Sequence, residues 1–371
     1  MKKICFVIPR AYYLFNPDIQ DAKDKVGGAQ KQSFLLSTSL ADDNSFDVHF
    51  IVADFGQLEF EEIKNVKLHK SFNFSANIFK RIIKLLKTLK KINADIYIFR
   101  SADIGVAFAV LYIKMFLHKK ILYMLAADAE ATKKRQKHHN GYLTSLAMQI
   151  VYKKADIITA QTQQQSDIFE RNRNRKPNAK IKNIYNVENN KQIISDEKNT
   201  ILWVGRLAKI KNPKLFIKLA ERYPNERFVM IAPVVRDHIE YGNTIQEKAK
   251  KINNLKLINF VNPENINEYY GKAKIYVLTS YLEGFSNTMA EAMIAECPIL
   301  SYNVNPDNIL NDYKCGFCTD KNIDKFYVDF EKLNSDFELR KQFGKNGLKY
   351  IRDNHQKEQI IKKFISLLNT I

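Results

Sequence analysis

Two carboxylates, Glu283 and Glu291, stand eight positions apart around the run Gly284-Phe285-Ser286-Asn287-Thr288. The apolar residues leading to Ser280 read as a buried strand. Gly284 permits close backbone approach to a ligand, and Ser286 or Asn287 can cap a helix that turns Ala290, Met293 and Ile294 inward. Strand, tight loop and helix thus present both acids beside the unpaired N–H groups of the helix start. Carboxylates accept hydrogen bonds from ribose and hexose hydroxyls, and backbone donors hold a diphosphate. Upstream, in VGRLAKIKNP, Gly205 closes another strand pattern, Arg206 and Lys211 follow it, and Pro213 suits a first helical turn. A forked guanidinium and a point-charge ammonium at a strand's carboxyl end can offset the charge on a departing nucleotide diphosphate. Taken alone, the same fragment also fits an ordinary strand-loop-helix joint with solvated basic residues.

These loops need a scaffold, and the chain supplies one twice. Strand patterns at 3–9, 46–53, 95–100, 120–126 and 156–160 alternate with helical ones near 28–41, 76–91, 103–117 and 142–154. A second series follows, with strands at 201–205, 227–232, 255–261, 275–280 and 298–302 and helices at 212–223, 243–252, 264–272 and 287–296. Such alternation predicts α/β architecture: two doubly wound, Rossmann-like domains with parallel sheets covered on both faces and ligand sites outside the carboxyl ends of the strands, facing across a cleft. The domains expected are 1–187 and 200–354, joined by a polar linker at 188–199, with an amphipathic C-terminal helix at 355–371 crossing back onto the first.

At 371 residues with 45% apolar and 12% aromatic content, the chain can build two cores and falls outside the disordered class. The apolar stretch Ile4–Pro9 is too short for a signal peptide, and Lys114 interrupts the longest apolar run, so a cytoplasmic protein is expected. Four cysteines, Cys5, Cys297, Cys315 and Cys318, are too few and too scattered for a disulfide framework. Cys315 and Cys318 form a CxxC without a second ligand pair and receive no role. The net charge of +19 is uneven: residues 1–187 carry 31 Lys+Arg against 17 Asp+Glu.

Arg206 and Lys211 followed by the spaced acids Glu283 and Glu291 resemble the retaining family 4, or group 1, glycosyltransferases of the GT-B fold, specifically from about 200 to 318. The resemblance implies that Arg206 and Lys211 bind the donor diphosphate, that Glu283 lies beside the donor sugar, and that Glu291 holds the ribose hydroxyls. It makes Gly205, Gly284, Phe285, Ser286, Asn287 and Thr288 the donor-binding surroundings. Arg206, Lys211 and Glu283 become the catalytic candidates. Asn303–Asn308 replaces the family's usual Gly-rich turn. Near the start, Val26-Gly27-Gly28-Ala29-Gln30 resembles the family's GGA-type loop, with Gly27 and Gly28 approaching a phosphate or acceptor. His138 and His139 match no motif, and Asp128 and Glu130 read as solvated loop acids rather than a metal pair. The implied reaction is retaining transfer of a sugar from a nucleotide-diphosphate sugar to an acceptor hydroxyl. It uses no cofactor and no metal, because cationic side chains serve the leaving group.

The segment Ile78–Ile92 places Ile78, Phe79, Ile82, Leu85, Leu86 and Leu89 on one helical side and Lys80, Arg81, Lys84, Lys87 and Lys91 on the other. The apolar side is expected to pack on the sheet and the basic side to meet an anionic membrane surface. A peripheral protein on the inner face of the cell membrane follows, with a glycan or lipid-linked acceptor, in bacterial cell-surface polysaccharide or glycolipid synthesis. The competing classes are a GT-B sugar-nucleotide epimerase and a nucleic-acid-binding protein. No stacking aromatics interleave with the basic runs and no nucleic-acid-binding signature appears, so no nucleic-acid partner is expected.

Overall fold

Period-two side-chain alternation in an apolar strand sends Ile4, Phe6 and Ile8 to one face of a sheet and Cys5 and Val7 to the other, and each set joins a different core cluster. The computed structural model describes residues 1–18, 27–43, 45–187, 197–234, 238–262 and 265–371, the side chains of 129, 133–140 and 142 excepted. Val26, most of the expected linker (188–196) and the side chains of His138 and His139 lie outside the described residues.

The chain divides into two units, Met1–Ile184 with Lys357–Ile371, and Tyr185–Gln356. In the first, strands β1 (Lys2–Val7), β2 (Phe46–Val52), β3 (Phe60–Ile63), β4 (Val66–Lys70), β5 (Ile96–Arg100), β6 (Lys120–Met124), β7 (Ile157–Ala160) and β8 (Ala179–Lys180) form one sheet in the order β3-β4-β2-β1-β5-β6-β7-β8. All pairings are parallel except β3 with β4. That hairpin has no counterpart in the expected strand series; Lys64 and Asn65 turn it with φ of 52° and 59°. The helix Lys357–Asn369 buries Ile360, Ile361, Phe364 and Leu368 with Leu36 and Leu40 of the helix Gly28–Asp42.

The second unit holds β9 (Thr200–Val204), β10 (Arg227–Ile231), β11 (Leu255–Ile258), β12 (Ala273–Leu278), β13 (Ile299–Ser301) and β14 (Gly316–Cys318), all parallel, in the order β11-β10-β9-β12-β13-β14. Both units are therefore doubly wound α/β sheets. In each, the chain leaves the sheet centre in opposite directions, at β1/β5 in the first and β9/β12 in the second. Loops following those neighbouring strands diverge and leave a crevice between them.

The helix Ile78–Ile92 departs from its expected burial. Leu85, Leu89 and Ile92 enter the core, but Ile78, Phe79 and Ile83 are exposed, Phe79 at 75%. A helix this apolar exceeds what one sheet face covers, so its first turn projects beyond the core. Arg81, expected on the outer face, instead turns back, its guanidinium carbon 5.2 Å from the Phe72 ring centroid and 5.5 Å from that of Phe74.

Candidate functional site

Adjacent strands β9 and β12 bring two distant parts of the sequence side by side. After β9, Leu207 is fully buried and pins the loop between Arg206 and Lys211, while Asn212 adopts φ 47° to release the chain into the helix Pro213–Arg222. A Cβ at Gly205 would stand 3.0 Å from the Trp203 ring, so glycine there lets the indole pack beneath the loop. Trp203 Nε1–H donates to Thr279 Oγ1 at 2.8 Å, and Thr279 Oγ1–H donates to the Lys211 carbonyl at 2.6 Å. Tyr281 N–H donates to the Ile210 carbonyl at 2.9 Å. On the far side, Asn303 Nδ2–H donates to the Tyr281 carbonyl at 2.6 Å, joining the loop after β13. Three strand-end loops are thus stitched into one edge.

On that edge Lys211 Nζ lies 2.7 Å from Glu283 Oε2, and the Ser280 hydroxyl donates to Glu283 Oε1. Glu291 sits on the second turn of the helix Asn287–Ile294, whose N-cap Ser286 accepts the Met289 N–H. The Asn287 side-chain oxygen accepts a 2.7 Å bond from Tyr185, and Thr288 Oγ1 stands 2.6 Å from Ser286 Oγ. The Phe285 ring is buried and stacks on His355 with centroids 4.5 Å apart, fixing the loop that carries Gly284. Beneath both acids, burial above all holds the Tyr276 phenol well above its ordinary range. A Thr288 hydrogen bond works against it, and the charges of Glu283 and Glu291 add to it. Both carboxylates are therefore within electrostatic reach of one hydroxyl. Tyr270 is raised likewise by burial and by Glu291.

The structure thus gathers Lys211, Glu283 and Glu291 with Ser286, Asn287 and Thr288. Arg206 shares their loop system, but its side chain is exposed and makes no hydrogen bond or ion pair among the described residues. Asp307 and Asn308 take φ of 50° and 56°, which accounts for an Asp-Asn pair where a Gly-rich turn was the family expectation. Sequence reasoning missed Trp203, Thr279, Tyr276 and Tyr185. The only signal was the polar Thr279-Ser280 pair closing an apolar strand.

In the first unit, Gly27 caps the helix Gly28–Asp42 with ordinary extended φ, and its N–H already donates to Gln30 Oε1 at 3.0 Å. The expectation of solvated acids at 128 and 130 is overturned. Asp128 is buried and accepts from Gln165 Nε2 at 3.2 Å; Glu130 accepts from Ala126 N–H at 3.0 Å and Tyr123 OH at 3.2 Å. Burial pushes the Glu130 carboxyl up to about 7, against hydrogen bonds from Ala126 and Tyr123. Among the described residues, no group of three or more His, Cys, Asp or Glu could hold a metal ion. Cys315 and Cys318 are buried in the core, and burial raises their thiols to about 12 and about 11.

Residues 186–350 match the family described as Glycosyl transferases group 1. An uncharacterized glycosyltransferase of Methanocaldococcus jannaschii is 25% identical over 66% of this chain and 65% of its own length. Alpha-galactosylglucosyldiacylglycerol synthase of Streptococcus pneumoniae is 33% identical over 29% of each chain. The chain thus spans less than two thirds of either relative. HepE of Anabaena, solved in complex with UDP-glucose, superimposes with a TM-score of 0.76 over 100% of both chains at 13% identity, which places the fold in the GT-B class.

Proposed function

We propose, from the match of residues 186–350 to the glycosyl transferases group 1 family, that the chain moves a sugar from a nucleotide-diphosphate sugar to an acceptor hydroxyl with retention of configuration. The Lys211–Glu283 contact of 2.7 Å beside the capped helix Asn287–Ile294 carries this reading. It sets a cation, an acid and the N-terminal end of a helix at one strand edge, the combination a diphosphate-linked sugar requires. Glu291, one turn further along, is suited to the ribose hydroxyls. On this reading Lys211 and Arg206 stabilise the leaving diphosphate, which itself takes the acceptor proton, so no protein nucleophile or metal is needed. HepE was solved with UDP-glucose, which favours a UDP-sugar donor. The name of the Streptococcus pneumoniae relative favours glycolipid synthesis.

We place the protein at the inner face of the cell membrane. No helix among the described residues is long and apolar enough to cross a bilayer, and the exposed Phe79 beside Lys80, Lys84, Lys87 and Lys91 suits shallow peripheral contact. A thermal-shift screen with UDP-, GDP- and ADP-sugars tests donor binding, followed by nucleotide release with and without an acceptor lipid extract. The expected result is stabilisation by one nucleotide class and release that requires acceptor. Turnover of the sugar nucleotide without acceptor would make the protein an epimerase and end this reading.

A further inference from the structure

The first unit has its own crevice at the strand divergence. A cavity of about 400 Å³ opens beyond the carboxyl ends of β1 and β5, with Arg10, Gln30, Arg81, Arg100 and Asp103 as its charged and amide lining. Its walls are apolar: Phe72 and Phe74 beyond β4, Ile78, Ile82 and Leu85 from the helix Ile78–Ile92, and Ile104 and Val106 from the helix Ile104–Tyr112.

The charge inside is one-sided. Asp103, the sole acid of the lining among the described residues, is engaged as a helix cap, its Oδ1 accepting the Val106 N–H at 2.9 Å. Arg100, 3% exposed, forms the floor, with Nη2 donating to Asn183 Oδ1 at 2.8 Å and its charge felt by Glu130. Among the described residues, Arg81 and Arg10 have no such counter-charge. Both lie over aromatic rings, Arg81 over Phe72 and Phe74 and Arg10 with its guanidinium carbon 5.3 Å from the Phe74 centroid. Stacking fixes a guanidinium by its face and leaves its N–H edge for an anion. The buried Nε of Arg81 has no hydrogen-bond partner among the described residues.

The surroundings select among anions. Ile78 both lines the cavity and is 42% exposed, so it stands at the rim. The helices Ile78–Ile92, Ile104–Tyr112 and Lys133–Lys154 pack side by side and expose Phe79, Ile83, Phe108, Leu143 and Leu146, while the turn Ile113–Leu117 adds Phe116 at 67%. An exposed apolar surface this broad, interleaved with Lys80, Lys84 and Lys87, suits lipid on one side and anionic head groups on the other.

We infer that this cavity seats the phosphate of an anionic lipid between Arg10 and Arg81, with the apolar chain leaving past Ile78 and Phe79. A soluble phosphate would leave the apolar walls unused, and a neutral glycan would leave two stacked arginines unpaired. As the identity of the acceptor, this rests on the glycosyl-transfer reading; as a binding site it does not.

Binding is therefore measured without any donor, by calorimetry with dihexanoyl phosphatidic acid below its micelle concentration. Dihexanoyl phosphatidylcholine and inorganic phosphate serve as the other arms. Wild type should bind the phosphatidic acid, and Arg10→Gln and Arg81→Gln should each weaken it at least tenfold. Lys154→Gln, which removes one charge from an exposed position outside the cavity lining, should leave it within twofold. Arg10 is exposed, so its variant keeps the test valid if Arg81→Gln fails to fold. Equal binding of inorganic phosphate would make this a free-phosphate site and overturn the proposal. So would equal binding of phosphatidylcholine, or equal loss in Lys154→Gln. Lipid binding without sugar transfer would sink only the acceptor role.

Discussion

Lys211 and Glu283 meet at 2.7 Å although 72 positions separate them, because β9 and β12 are hydrogen-bonded neighbours. The pair is largely buried, so its attraction is offset by desolvation and it is better understood as fixing two loops than as adding stability.

Lys211→Ala should lower kcat roughly 100-fold, about 2.7 kcal/mol of transition-state stabilisation, with a much smaller rise in donor KM, since the cation matters most as the glycosidic bond breaks. Steady-state kinetics on the preferred donor decide it; a raised KM with intact kcat would remove Lys211 from the chemistry. Arg206→Ala should act in the same direction. In a double-mutant cycle, Lys211→Ala and Glu283→Gln should be strongly non-additive, because the two side chains are in contact.

Thr279 is fully buried and serves as acceptor for Trp203 and donor to Lys211. Thr279→Val keeps the shape but strands an indole N–H and a carbonyl, and should cost about 1–3 kcal/mol in urea unfolding. Thr279→Ser retains both bonds and should cost markedly less. A larger loss in Thr279→Ser than in Thr279→Val would show that the methyl group, not the hydroxyl, matters.

Glu130 titrates at about 7 in the folded chain because burial disfavours its charge. The unfolded chain ionises it in the ordinary carboxylate range. Between those two values the folded state holds more protons, so stability falls as pH rises, and the loss is complete above about 7. Glu130→Gln should therefore raise Tm at about pH 8 and give no gain at about pH 4, below both ionisations. Scanning calorimetry across that range checks it; a pH-independent effect would reject a charged Glu130 as the cause.

Gly344 lies where the helix Phe337–Asn354 meets the end of the helix Asn287–Ile294, and a Cβ there would stand 2.3 Å from the Glu296 carbonyl oxygen. Backbone cannot yield as a side chain can. Gly344→Ala should cost about 2–3 kcal/mol and disturb the helix that carries Glu291. Gly347→Ala, facing the flexible Met293 side chain at 3.2 Å, should cost less. The ranking is read from thermal midpoints.

The amino-acid order alone carried the alternation of apolar strands with amphipathic helices, hence two parallel-sheet units, and it carried the acid and cation spacings that mark the site in the second unit. Those features are local: burial on both faces demands continuous apolar runs, and a capped helix after a glycine loop is written in a dozen consecutive residues. The hairpin of β3 and β4 was not legible because β3 is only four residues, FEEI, two of them adjacent acids, and carries no clear strand period. Which side chains share an edge was decided only by strand order, since adjacency of β9 to β12 and of β1 to β5 is a property of the sheet, not of any segment. For the same reason Arg81, which by spacing belongs to the basic, membrane-facing side of its helix, turns inward onto the rings of Phe72 and Phe74, supplied by a different part of the chain.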